Sequence, residues 1–265
     1  MLCGIRRLTW KISQSGVLRV MRRPNLNLVL TVLVSTMALA AGGCRKKMSA
    51  TSEEAKTSPE GRACPPNIGM ISDGENSPNQ TNVIKGRGGY WYTFLDKEGS
   101  SVTPMPGAQG GTFAMEAGGA NGTKMAAHMT GSVASAEIVY AGMGMNFVDP
   151  KGQYDSSAYK GISFWAKKGP GSTGKVRLKV PDKSTDPDGK ICTECFNDFG
   201  ADLTLTDDWQ QFTLPFTAMK QIKTWGSPHP DSIDPATLYG IQFQVNDKGQ
   251  KFDIWIDELQ FTGCQ

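Results

Sequence analysis

Histidine, charge and helical periodicity are all scarce in this sequence. Only two histidines occur in 265 residues, His128 and His229, and neither sits in a recognisable catalytic motif. The sequence therefore gives no motif-level support for histidine-based catalysis. No G-x-S-x-G occurs, which removes the nucleophile-elbow hydrolases, and no phosphate-binding loop occurs, which removes P-loop nucleotide chemistry. Charged residues are only 20% of the chain, and six of its 28 basic residues lie in residues 1–43, which hold no acid. The rest carries 22 basic against 25 acidic residues and no basic stripe. The basic pI near 8.5 therefore belongs to the first segment and gives no argument for a nucleic-acid partner. What is abundant is turn chemistry: 31 Gly and 15 Pro beside 38% apolar residues describe a loop-rich globular chain and not a disordered one.

The apolar run Leu28 to Ala41 has 14 residues. A bilayer span needs roughly 20, so the run reads as a signal-peptide core, with Arg22-Arg23 as its basic flank and Met21 as an alternative start. Ala41-Gly42-Gly43-Cys44 resembles a bacterial lipobox, in which the cysteine is lipidated and becomes the mature N-terminus; Ala41 stands where leucine is usual. The resemblance implies a lipoprotein held to the membrane through Cys44. Arg45, in place of an aspartate, favours the outer membrane of a bacterial envelope. Residues 1–43 are then leader, 44–66 a polar, Pro-ending linker, and 67–265 the folded domain.

Four cysteines remain in the exported part: Cys64, Cys192, Cys195 and Cys264. An even number outside the cytoplasm points to disulfides, and four allow three pairings. Cys64 and Cys264 lie at the two ends of the domain, and domain ends are commonly neighbours, which favours that pair. Cys192-x-x-Cys195 is then a second, structural disulfide. A redox motif or half a zinc site are the alternatives, without a second C-x-x-C or a nearby histidine to support them.

The domain alternates with period two between turns, the signature of an all-β fold. Ile162, Phe164 and Ala166 alternate with Ser163, Trp165 and Lys167; Val176, Leu178 and Val180 with Arg177 and Lys179. Phe212, Leu214 and Phe216 form another apolar face, and Ile241, Phe243 and Val245 alternate with Gln242 and Gln244. Asn246-Asp247-Lys248-Gly249 predicts a hairpin turn into Phe252, Ile254 and Ile256. There the parity changes, to Leu259 and Phe261, which predicts a bulge near Asp257-Glu258. "GGYWYTFLD" and "KMAAHMTG" read as strands, and 99–121 as long loop. One-faced strands must bury those faces against each other, which predicts a two-sheet antiparallel β-sandwich.

"ISDGEN…GRGGYWYTFLD", "YDSSAYKGISFWAK", "CTECFNDFGADLTLTDDWQQFTLPF" and "LYGIQFQV…KFDIWIDELQF" resemble the galactose-binding-like jelly rolls, above all carbohydrate-binding module family 11 and the complex I intermediate-associated proteins. The resemblance spans residues 71–261 and implies non-catalytic carbohydrate binding by a monomeric module. Sugars are held by aromatic faces and read by planar polar groups, so the polar faces nominate Trp165, Arg177, Gln242, Gln244 and Trp255, with Trp225 in the "KTWGSPHP" loop as a rim. Trp91 and its neighbouring tyrosines are further candidates. The same resemblance implies a structural calcium held by Asp73, Glu75 and Asp257. A protein-interaction or envelope-assembly module is the rival on this fold. A glycan hydrolase, needing two placed carboxylates, is the enzymatic rival; the acids here fall mostly in turns.

Overall fold

A computed structural model describes residues 61–107 and 113–264. The leader, Cys44 and all but the end of the linker lie outside the described residues. Twelve strands form two antiparallel sheets in a jelly-roll β-sandwich. The larger sheet runs β10 (Gln210–Pro215), β7 (Gly161–Lys168), β12 (Lys251–Thr262), β5 (Met125–Ser132), β3 (Ser101–Thr103), with β1 (Met70–Ser72) on β12 and β4 (Glu116–Ala117) on β5. The smaller runs β2 (Trp91–Leu95), β6 (Ala141–Asn146), β11 (Gly240–Val245), β8 (Lys175–Val180), β9 (Phe199–Thr204).

The alternation explains the layering. Ile162, Phe164 and Ala166 of β7 and Ile254 and Ile256 of β12 face Leu178 of β8 and Ile241, Phe243 and Val245 of β11, all of them fully or almost fully buried. Phe164 meets Phe243 edge-on, ring centres 5.1 Å apart, between the sheets. Two expectations change. Residues 99–121 hold β3 and β4, strands too short to show a period. Residues 246–249 do not make a hairpin: the turn closes through Gln250 N–H to Asp247 O, but β11 and β12 belong to different sheets. Identical period-two patterns on either side of a turn do not say whether the strands pair or part.

The parity change is a bulge. The pairing of β12 with β7 shifts between Asp257 and Gln260, and Glu258 takes a left-handed backbone (φ 47°). The turn of the chain buries Asp257, whose Oδ2 accepts from Ala120 N–H (2.7 Å) and Thr123 Oγ1 (2.6 Å), while Oδ1 accepts from Glu258 N–H (2.7 Å). One bulge thereby pins the 118–125 loop. Burial pushes the Asp257 carboxyl above the usual carboxylate range, the nearby Glu75 charge adding to it against those hydrogen bonds.

Cys64 and Cys264 form a disulfide across 200 residues, and Cys64 N–H also bonds Phe261 O (3.1 Å). Ala63 pairs with Thr262, so the folded body takes in the last residues read as linker. Arg87 is buried beneath this seam, stacked over Phe261 and donating to Tyr154 Oη (2.7 Å), Ile68 O (2.7 Å) and Met70 O (2.9 Å).

Two outcomes follow. Opening Cys64–Cys264 by Cys64→Ser with Cys264→Ser lowers the unfolding free energy in urea by about 5 kcal/mol, the chain-entropy value for a loop of 200 residues. A carboxyl whose folded value is raised stabilises fully below its unfolded value, about pH 4, and loses that contribution as pH rises through the folded value. Asp257→Asn abolishes this term, so its stability relative to wild type shifts in the variant's favour between pH 4 and pH 7, measured by urea unfolding at both.

Candidate functional site

The register of the five-stranded sheet lines up two rows across its outer face. One runs Tyr92, Gly144, Gln242, Lys179, Gly200; the other Phe94, Gly142, Gln244, Arg177, Asp202. Each row has a glycine on β6, beside the aromatic ring. A Cβ on Gly142 would stand 2.4 Å from the Phe94 ring, and one on Gly144 2.9 Å from the Gln242 side chain. The glycines let Phe94 and the Gln242 side chain settle onto the sheet. Tyr140 extends the aromatic side, its ring 6.2 Å from that of Phe94, and Phe94 lies 6.2 Å from Tyr92.

The polar members are held by one another. Gln242 Nε2 donates to Tyr92 Oη (3.0 Å), which leaves the phenol's own hydrogen available. Lys179 Nζ pairs with Asp198 Oδ2 (3.0 Å) and donates to Gln244 Oε1 (3.2 Å). Arg177 bonds Asp202 Oδ1 (2.9 Å) and Lys220 O (2.7 Å). Arg177 and Lys179 are only 8% and 6% exposed, and cations so buried need such partners. Asp198 is buried, its Oδ2 on Lys179 and its Oδ1 without a hydrogen-bond partner. Burial pushes the Tyr92 phenol up to about 12, so it keeps its proton at any physiological pH.

These residues line a groove of about 660 Å³. Its rim carries Ile138, Phe196 and Trp225, three of the most exposed large apolar side chains among the described residues. A second hollow, of about 810 Å³, meets the groove at Tyr92 and runs along β2 past Asn146 and Lys151.

Of the residues nominated from sequence, Arg177, Gln242, Gln244 and Trp225 are brought together here. Trp165 and Trp255 are not: they lie on β7 and β12, in the other sheet. Trp255 sits between β5 and β7, stacked on His128 (3.7 Å) with Lys167 Nζ 5.1 Å from its ring centre. Its ring faces are occupied, and its Nε1 donates to Asp253 (2.8 Å). Lys167 also lies over Trp209, and His128 pairs with Glu116 and Asp253. This is a self-satisfied outer layer. Trp91 is core, donating to Ser72 Oγ (3.0 Å). Tyr92, one of the tyrosines beside Trp91 nominated from sequence, also stands here; Phe94, Tyr140, Lys179, Asp198 and Phe196 were not singled out as site residues. The available signal was the alternation of "YWYTFL": with Trp91 inward, Tyr92 and Phe94 point outward.

Asp73, Glu75 and Asp257, expected from sequence as calcium ligands, each accept hydrogen bonds from neighbouring donors. Glu75 Oε1 accepts from Lys124 and Met125 N–H (2.7 and 2.8 Å), Asp73 from Glu75 N–H and Asn82 Nδ2 (3.1 and 3.0 Å), and Asp257 from the 118–125 loop as described. Each of the three carboxylates is thus engaged by hydrogen-bond donors of its own neighbourhood. Among the described residues no three His, Cys, Asp or Glu side chains meet as a metal site.

A spectrophotometric titration at 295 nm tests the packing of the groove. One tyrosine is expected to ionise near pH 12, and that step disappears in Tyr92→Phe.

No protein-family profile and no curated protein matches the chain. Solved structures do. The family 11 carbohydrate-binding module of the cellulosomal cellulase Lic26A-Cel5E of Clostridium thermocellum is similar over 74% of this chain and 94% of its own, with 15% identity and a TM-score of 0.51. The solution structure of CtCBM11 is similar over 75% of this chain and 97% of its own, with 16% identity and a TM-score of 0.50. At such identity the likeness shows the fold, the jelly roll of carbohydrate-binding modules.

Proposed function

We propose that this chain is a non-catalytic carbohydrate-binding protein whose ligand lies in the groove of the five-stranded sheet. The observation that carries the reading is the make-up of that groove: aromatic side chains at both margins, Tyr92, Phe94 and Tyr140 toward β2 and Phe196 and Trp225 beyond β9, with paired amides and paired charges between them. Rings stack on the C–H faces of a sugar, and fixed planar groups read its hydroxyls. The Tyr92 hydroxyl supplies a donor and the Gln242 and Gln244 side chains supply planar amides. Lys179 holds the Asp198 carboxylate, which favours recognition over proton transfer. The carbohydrate-binding modules that share the fold support the same reading.

The lipobox-like Ala41–Cys44 supports a further element of the proposal: export, lipidation of Cys44 and tethering at a bacterial envelope, the outer membrane by the residue that follows. Metabolic labelling with an alkyne fatty acid checks it; label is expected on the wild-type chain and lost with Cys44→Ala.

Affinity electrophoresis against mixed-linkage β-glucan, hydroxyethylcellulose, xylan, mannan and a bacterial exopolysaccharide tests the sugar reading. Retardation by at least one glycan class is expected. Tyr92→Ala or Phe94→Ala should weaken it about tenfold, the worth of roughly 1.4 kcal/mol and within reach of one stacking ring. Trp255→Ala should leave it unchanged. A folded protein that none of these glycans retards, or binding lost with Trp255 and kept without Tyr92 and Phe94, would sink the groove assignment.

A further inference from the structure

Cys192 and Cys195 take no direct part in the groove's polar network, yet they join in a disulfide beside it, and Cys195 lines the groove. At the next residue the chain turns into the left-handed region: Phe196 has φ 74°. A bulky aromatic rarely adopts that backbone, and it persists only where the surroundings impose it. Here it leaves the ring 57% exposed on the groove, so core packing is not its cause.

The same short segment is joined to the loop that carries Trp225. Thr193 N–H donates to Ser227 O (3.0 Å), and Ser227 N–H to Glu194 O (3.1 Å). Gly226 N–H donates to the Glu194 carboxylate (3.1 Å). Asn197 Nδ2 donates to Ile222 O (2.7 Å) and to Trp225 O, and its Oδ1 accepts from Ile222 N–H (3.0 Å). Gly226 is also left-handed (φ 90°), and a Cβ there would stand 2.5 Å from the Asn197 Cβ. The two loops approach so closely that they move as one wall, carrying Phe196 and Trp225.

We infer that the Cys192–Cys195 disulfide is a positioning element of the groove: it fixes the wall bearing Phe196 and Trp225, and ligand affinity depends on it while the sandwich does not. The inference rests on the sugar-binding reading of the groove for its effect on affinity, though not for its effect on the wall. Thr193, Glu194 and Phe196 are exposed, and the disulfide closes only a short loop, so little of the core hangs on it. The long Cys64–Cys264 bridge closes the fold. Without the short bridge, the cost of ordering the wall falls on the binding step.

The test is Cys192→Ser with Cys195→Ser in the full-length chain, measured three ways. In the ligand-free protein, amide exchange at Thr193, Glu194, Gly226 and Ser227 should accelerate about tenfold or more, with β7 and β11 unchanged. The thermal midpoint should move little. Calorimetry with the panel glycan that wild type binds tightest should show affinity about tenfold weaker. Trp225→Ala should then cost much less in the disulfide-free background than in wild type, because the two changes act through one wall. Glu194→Ala, which cuts only the Gly226 link, should move exchange and affinity the same way by less. Unchanged exchange, full additivity with Trp225→Ala, or global unfolding on loss of the bridge each overturns the inference. If wild type binds no panel glycan but exchange at the wall still accelerates, the positioning role stands and the sugar reading falls.

Discussion

β12 runs through the larger sheet with β7 along one side, and with β5 and then β1 along the other. Its register with β7 shifts between Asp257 and Gln260, where its other neighbour changes from β5 to β1. The bulge at Asp257-Glu258 adds a residue there, which turns Leu259 and Phe261 inward where an unbroken pattern would expose them. It leaves a carboxylate inside the protein, and the loop at 118–125 wraps around that carboxylate. The position of β1, the closure of the 118–125 loop and the seam at Cys64–Cys264 all follow from how this one strand ends.

The groove depends on a different economy. Its floor is made by omission, with glycine at 142 and 144 where the neighbouring strands carry side chains. Its charges are matched internally before any ligand arrives: Lys179 with Asp198, Arg177 with Asp202. A surface so prepared presents ring faces and fixed dipoles without a strong net field. Such a face is suited to discriminate by shape and hydrogen-bond geometry, since steering by charge needs an imbalance that these paired charges do not supply.

The strands were legible wherever two chemistries alternate. β7, β8, β10, β11 and β12 each show an apolar residue every second position, and even the bulge is written as a parity change. β6, "AGMGMN", was not, because its outward residues are glycines, and a missing side chain carries no polar signal. β3 and β4 were too short. For the site, alternation told which residues leave the core but not which sheet they leave from. Arg177, Gln242 and Gln244 share a face with Trp225, while Trp165 and Trp255, read by the same rule, stand on the other sheet. Tyr92 was nominated only alongside Trp91, which is the buried member of the pair, and Phe94, two residues on and on the same outer face as Tyr92, was passed over. Residue type alone also does not reveal that backbone amides and side-chain donors engage Asp73, Glu75 and Asp257.

The bridge between Cys64 and Cys264 also has a mechanical meaning. A pull arriving along the chain from its N-terminal side reaches Cys64 before it reaches β1, and the covalent bond passes it to the end of β12. β12 lies between neighbours on both sides, so the load meets its hydrogen bonds in shear, many at once. Without the bridge the same load would peel β1, which is three residues long, off its partner one bond at a time. The covalent link thus carries such a load past the short first strand.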